Sequence, residues 1–298
     1  MQFKANKKDK KPSSTQLMEA VTAQLVELME KEGSDWTKPF TSRSSLPANA
    51  LTGKSYSGTN VMLLMMGTDD SEFAGYKQWA ELGAQVRKGE QGHAIVRPHI
   101  AKDKKDPEKM FITGFGITYV WGRSQVDNAP LREEIEQADI TERLENADAF
   151  FKAVGASVFH NEGGRAYYQP SSDSITMPTR DSFIDTDTST ATESYYSTLA
   201  HEHIHWTGSS KRLDRLKASA FGDDLYAFEE LIAEIGAAML SVKLGISSAP
   251  RPDHAKYLNG WIRNLKKDPE ALFKAASKSL KAVEFLDNFQ QIEEAVAA

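Results

Sequence analysis

Apolar positions alternate with polar ones along this chain in two distinct rhythms, and the rhythms divide it. From Ser14 to Gly33 the apolar residues Leu17, Val21, Leu25 and Met29 recur at helical spacing. That pattern predicts an amphipathic helix, with Ser14 or Thr15 as its cap and Gly33 as its end. A turn-rich loop, LPANALTGKSYSGTN, then leads into the apolar run VMLLMM. The stretch from Gly75 reads as a short helix, a turn at Lys88-Gly89 and a strand ending near Val96. KDKKDPEKM is a charged insertion or hairpin tip, and FITGFGITYVWG is rich in strand formers with glycines at bends. In the back half, residues 130–145 are charged and read as a linker or first helix. ITERLENADAFFKAVG reads as a helix stopped by Gly155. Three short strand candidates follow, ASVFHN, RAYYQP and SITMP, and then two long helices around residues 195–207 and 225–244. Helical segments fill the rest after Pro250 and Pro252.

This succession predicts an α+β chain of two domains. Residues 1–14 form a disordered basic tail, 15–128 a first domain, 129–145 the linker or first helix, and 146–298 a second domain.

Charge sharpens that division. The net charge is −6. Residues 1–128 hold 18 Lys and Arg against 15 Asp and Glu, whereas the remainder holds 18 against 27. A mildly basic front and an acidic back suggest a polyanion partner for the front. Aromatics interleave with cations there: Trp36, Lys38 and Phe40; Lys54 and Tyr56; Tyr76, Lys77 and Trp79; Arg87 and Lys88. Single-stranded nucleic acid is bound by stacking bases on aromatic faces along a basic groove. The chain has no cysteine, so it forms no disulfide and offers no thiolate ligand or nucleophile. It has no apolar run of membrane-spanning length, and its first residues lack the apolar core of a signal peptide. A cytoplasmic protein is expected.

The sharpest chemical signal is LAHEHIHWTG, residues 199–208. His201, Glu202 and His205 make the pattern H-E-x-x-H. On a helix, His201 and His205 stand one turn apart on one face, a spacing at which two imidazoles grip one zinc ion. Glu202 is then placed to take a proton from water activated by the metal. His203 falls on another face. Tyr195, Tyr196, Leu199 and Ile204 suit a packed helix, with Gly208 as its stop.

A catalytic zinc takes three protein ligands, and FEELIAEIG offers the third. Glu230 and Glu234 share a helix face, so one can bind the metal while the other orients a histidine ring. Glu230 is the favoured ligand and Glu234 the orienter, with Glu229 as the alternative ligand. Glu229 shares its side with Ala233, Gly236 and Ala237, a smooth face for close helix contact. In such folds a small sheet precedes the metal helix and its edge strand pairs with an extended peptide; SDSITMP is the natural candidate. Tyr195, Tyr196 and Tyr226 are candidate oxyanion donors.

These motifs together resemble the ArdC-type plasmid antirestriction proteins. The front carries W-T-K-P-F, the run from Pro47 to Asn60, and Q-V-R-K-G-E at 85–90. These are similar to the family's single-stranded-DNA-binding domain, also found on TraC-type primases. TLAHEHIHWTGSSKRLDR and YAFEELIAEIGAAML are similar to its zincin-like metallopeptidase domain, whose layout is that of Spartan-type proteases. The resemblance implies a protein that binds single-stranded DNA and protects conjugating DNA from restriction. It implies zinc, manganese or another divalent ion as cofactor, and an unidentified protein substrate, for which a host restriction component is one candidate. By position, Trp36, Lys38, Asn49, Lys54, Tyr56, Asn60, Trp79 and Lys88 fall in the DNA-domain motifs. His203 departs from the small or apolar residue usual in relatives, outside the ligand positions.

Overall fold

The structure, a computed structural model, describes residues 13–32, 45–102, 110–131, 140–185, 189–216, 224–246 and 254–297. The first helix, α1, spans Ser14–Glu32 and buries Leu17, Val21, Leu25 and Met29 along one stripe. Its cap is Ser13 rather than Ser14 or Thr15. Ser13 Oγ accepts from Gln16 N at 3.2 Å and Gln16 Oε1 accepts from Ser13 N at 2.8 Å. This reciprocal S-x-x-Q box satisfies two orphan donors at once, which neither later hydroxyl does. The expected stop at Gly33 lies outside the described residues.

The front sheet has four strands in the order β1 (Ala48–Asn49), β2 (Glu72–Ala74), β5 (Met110–Gly122) and β4 (His93–Lys102). β4 and β5 form one long antiparallel hairpin, in register from His93↔Val120 to Lys102↔Met110 with an irregularity between His99 and Ile100. The strand thus runs six residues past Val96. The charged insertion or hairpin tip expected between these strands lies, over residues 103–109, outside the described residues. A smaller ladder pairs β3 (Gln85–Val86) with β6 (Val126–Asp127). The apolar run forms α2 (Gly58–Gly67), and a short α3 spans Tyr76–Glu81.

α2 is buried on nearly every side, from Val61 to Met66. One side meets the sheet, where Leu64 joins Phe73, Ile95 and Val120. The other meets the last helix, α8 (Ala271–Ala297). A Cβ on Gly58 would stand 2.5 Å from Ala276 O and Ser277 Cα, so only glycine permits this crossing.

The back half begins with α4 (Ile140–Val154), ended by Gly155 at φ +69°. Three strands follow: β7 (Ser157–Asn161), β8 (Tyr167–Gln169) and β9 (Ser174–Pro178). Their order is β7-β9-β8, with β9 parallel to β7 and antiparallel to β8. The SITMP strand is therefore the middle of the sheet, not its edge, and its backbone is already paired on both sides. Helices α5 (Ala191–Thr207), α6 (Asp224–Leu244) and α7 (His254–Lys267) complete the fold with α8.

One hydrophobic core holds residues of α1, α2, α4 to α8 and the back sheet together. The division drawn at residue 128 does not cut it: α1 and α2 precede that point but pack with the back helices.

Candidate metal centre

α5 starts at a capping box. Thr190 Oγ1 accepts from Glu193 N at 3.2 Å, and Glu193 Oε2 accepts from Thr190 N at 3.0 Å. Its far end needs partners for the last carbonyls. The loop supplies them by turning back: Leu213 N donates to Thr207 O, and Arg215 N and Leu216 N both donate to Gly208 O. Gly208 itself keeps helical φ (−78°). A side chain there would press on Arg215 and Leu216, so close packing, not a left-handed turn, demands glycine. α5 crosses α6 at another such point, where a Cβ on Gly236 would come within 2.9 Å of Ile204.

This crossing brings three ligand atoms together. Among the described residues, His201, His205 and Glu230 form the one group of His, Asp or Glu side chains able to hold a metal, with ligand atoms all within 4.8 Å of one another. The two histidine Nε2 atoms face each other at 3.0 Å. Glu230 Oε2 lies 3.5 Å from Nε2 of His201 and Oε1 lies 3.5 Å from Nε2 of His205. A tetrahedral ion with bonds of about 2.0–2.1 Å separates its ligands by about 3.3 Å. Two nitrogens and one carboxylate at these spacings fit such an ion and leave a fourth position open. His201 and Glu202 are buried, and His205 is 12 % exposed at its side chain.

Two further carboxylates serve the rings from behind. Glu234 Oε1 lies 3.2 Å from His201 Nδ1, though out of line for a hydrogen bond. Glu229 Oε1 lies 3.4 Å from His205 Nδ1 and is gripped by Arg215, so the structure turns Glu229 away from the three-residue cluster. Burial opposes charge on His205, but the adjacent Glu230 and Glu229 outweigh it and push the imidazole up to about 10. The histidines in turn hold Glu230 well below the usual carboxylate range despite its burial. A cation is what this cluster of acids favours.

His203, on the opposite face, is fully buried against Phe151, ring centroids 4.6 Å apart. Tyr195 and Tyr196 are buried too. The Tyr195 hydroxyl meets His160 Nε2 at 2.9 Å, and Tyr196 donates to Asp148 at 2.9 Å. Both hydroxyls are thus bound to side chains outside the metal cluster. Tyr226 lies partly exposed one turn before Glu230 on the same side of α6.

The front-half candidates divide differently. Trp36 and Lys38 lie outside the described residues. Trp79 is fully buried and donates from Nε1 to Trp121 O at 2.9 Å. Asn60 bridges the backbone of Val96, donating to its O and accepting from its N, both at 2.8 Å. Asn49 Oδ1 accepts from Leu51 N and Thr52 N to close a turn, and Tyr56 donates to Phe73 O at 3.1 Å. Trp79 and Asn60 therefore build the fold and offer no stacking face or free amide to DNA. Lys54 and Lys88 are exposed. Among the described residues of the front half, the exposed aromatics are instead Tyr76 and Phe115, 50 % and 56 % accessible. Beside the Arg87-Lys88 turn a cavity of about 500 Å³ is lined by Asp69, Arg87, Glu90, His93 and Gln125 among others.

A family model for zincin-like metallopeptidases matches residues 145–278, and one for the N-terminal domain of the anti-restriction factor ArdC matches residues 15–159. The crystal structure of the antirestriction protein ArdC from plasmid R388, metal-free, superposes with a TM-score of 0.71 at 35 % identity, covering 92 % of this chain and 97 % of that one. This chain belongs to the ArdC antirestriction family. The Mn(II)-bound structure of the same relative matches with the same TM-score and coverage at 32 % identity. An uncharacterized protein of Sinorhizobium fredii (strain NBRC 101917 / NGR234) is 33 % identical over 93 % of this chain and 94 % of its own length. Two DNA primases TraC of Escherichia coli are 36 % and 35 % identical, but the chain spans only 20 % and 27 % of their lengths. No helix among the described residues is long and apolar enough to cross a membrane.

Proposed function

We propose that this ArdC-family protein binds single-stranded DNA through its front half and protects incoming conjugating DNA from restriction by a metal-dependent peptidase step. The observation that carries the reading is the convergence of His201, His205 and Glu230 beside a buried Glu202. The Mn(II)-bound relative supports a divalent ion, and the two-nitrogen, one-carboxylate donor set suits zinc. When bound, such an ion supplies Lewis acidity and makes water acidic near neutral pH. Glu202 accepts the proton released there and later gives it to the leaving amine. On the front, the exposed Lys54, Lys88, Tyr76 and Phe115 are among the side chains that reach solvent and can meet phosphates and bases.

The test is escape of unmodified plasmid DNA from a restricting recipient during conjugation, with wild type and Glu202→Gln compared. Glu202→Gln keeps the metal ligands and is expected to lose protection while retaining fold and DNA binding. Equal protection by the variant would show that binding alone shields the DNA, and the peptidase assignment would fail.

A further inference from the structure

Arg215 is a buried guanidinium with only 4 % of its side chain exposed, and nothing in the chemistry above uses it. Each of its three nitrogens donates a hydrogen bond. Nη2 donates to Glu229 Oε1 at 2.9 Å and to Ile204 O at 2.6 Å, Nε reaches both Glu229 oxygens at 3.1–3.2 Å, and Nη1 donates to Thr207 Oγ1 at 3.0 Å. One side chain thus ties the end of the metal helix α5 to a carboxylate on α6. That carboxylate stands 3.4 Å from His205 Nδ1, the nitrogen that does not face the metal cluster. A buried ion pair costs desolvation and is weak evidence for stability by itself. Its placement on a ligand histidine points to another role. A histidine ligates through one nitrogen only when the other carries the proton, and a carboxylate beside that proton fixes both the tautomer and the ring plane.

We propose that Arg215 and Glu229 act as a positioning pair for His205: Glu229 accepts a hydrogen bond from Nδ1–H, so that the proton stays on Nδ1 and Nε2 is left to face the metal, and Arg215 holds Glu229 in that place and balances its charge. Each ligand histidine then has its own carboxylate from α6, Glu234 for His201 and Glu229 for His205, and Arg215 anchors the second. His205 is the more exposed of the two rings, 12 % against 2 %, and gains less orientation from packing.

The inference rests on the metal-centre reading, and one experiment separates the two. The metal-stripped full chain is titrated with Zn(II) against a chromophoric chelator. Glu230→Gln, which alters a ligand, should lose binding; wild-type affinity in that variant would overturn the metal centre itself, and this pair with it. Glu229→Leu should bind Zn(II) roughly ten- to a hundredfold more weakly, the range for lost outer partners of metal ligands. Glu229→Gln keeps an acceptor for the Nδ1 proton and should stay within about threefold of wild type. Arg215→Met should weaken binding as Glu229→Leu does, and the double variant Arg215→Met with Glu229→Leu should be no weaker than Glu229→Leu alone. That double variant removes both buried charges, so it remains measurable where either single change leaves an uncompensated charge and unfolds the chain. Equal affinities for the Leu and Gln variants, or losses that multiply in the double variant, would overturn the pair.

Discussion

His203 gives the fold an acid sensitivity that can be calculated and removed. Its ring is fully buried between α5 and α4, with Nδ1 2.8 Å from Leu199 O and Nε2 without a hydrogen-bond partner among the described residues. Burial pushes the imidazole from 6.5 down to about 4, against a smaller opposing pull from the Leu199 carbonyl. The sign follows from which state takes the proton. Above pH 6.5 the ring is neutral in both folded and unfolded chains. As pH falls from 6.5 to 4 the unfolded chain binds a proton that the folded one refuses, so stability is lost across that window. The whole gap corresponds to about 3 kcal/mol, of which about 2 kcal/mol falls between pH 7 and pH 5. Replacing His203 by Leu removes the titration. It gives up one hydrogen bond but also one unsatisfied nitrogen, so the two chains should differ by no more than about 1 kcal/mol at pH 7. The assay is chemical denaturation of metal-stripped wild type and His203→Leu at pH 7 and pH 5. Other titrating groups, the metal ligands included, cancel in the difference between the chains. The variant should gain about 2 kcal/mol on wild type over those two units. Parallel pH dependence would refute the reasoning, because it would mean that His203 takes its proton in the folded chain as readily as in the unfolded one.

The other predictions concern packing and the front surface. Gly58→Ala places a methyl 2.5 Å from the α8 backbone, so the α2–α8 crossing must open; a loss of about 1–3 kcal/mol by denaturation is expected, and a change under about 0.5 kcal/mol would show that the crossing is loose. Trp79→Ala should cost about 3–5 kcal/mol, since it empties a fully buried site, whereas Lys88→Ala should leave stability within about 0.5 kcal/mol. Lys88→Ala should instead weaken single-stranded DNA binding and flatten its salt dependence by about 0.7 in log–log slope; an unchanged slope would remove Lys88 from the interface.

What could be read from the sequence was what depends on near neighbours. The H-E-x-x-H spacing and the glutamates of α6 are local helix geometry, and His201, His205 and Glu230 meet because Ile204 of α5 packs directly onto Gly236 of α6. Strand existence was equally local, yet strand order was not. Nothing within SITMP states that β7 and β8 would pair with it from both sides, so its place as a peptide-binding edge fails on a long-range fact. Trp79 and Asn60 sit in motifs of a DNA-binding domain and are nonetheless consumed by Trp121 and Val96, some forty residues distant in sequence. An aromatic or an amide looks the same in sequence whether it faces a base or a backbone. Arg215 was invisible for the same reason: its partner Glu229 lies fourteen residues on, reached only because the loop after Gly208 doubles back.

The shared core changes how the front half should be studied. Sequence composition divides the chain near residue 128, and the front sheet does have small cores of its own around Trp79 and Phe73. Yet Leu17, Val21, Leu25 and Met29 of α1, and Val61, Met62, Met65 and Met66 of α2, are buried against residues that come after that division. Each exposed leucine, valine or methionine costs about 1.5–3 kcal/mol, so a piece cut at residue 128 would expose far more apolar surface than a marginally stable domain tolerates. Such a fragment would expose the apolar faces of α1 and α2 and tend to aggregate, so a preference measured on it would report the cut. The contacts run further: Thr59 of α2 meets Ser277 of α8 at 3.2 Å, and Ser279 of α8 donates to Ile232 O at 2.8 Å, in the helix that carries Glu229, Glu230 and Glu234. The front sheet and α6, the helix that carries Glu230, are therefore linked through two intermediate helices, α2 and α8. DNA binding belongs on the intact chain, compared between variants such as Lys88→Ala whose side chains reach solvent and leave that packing untouched.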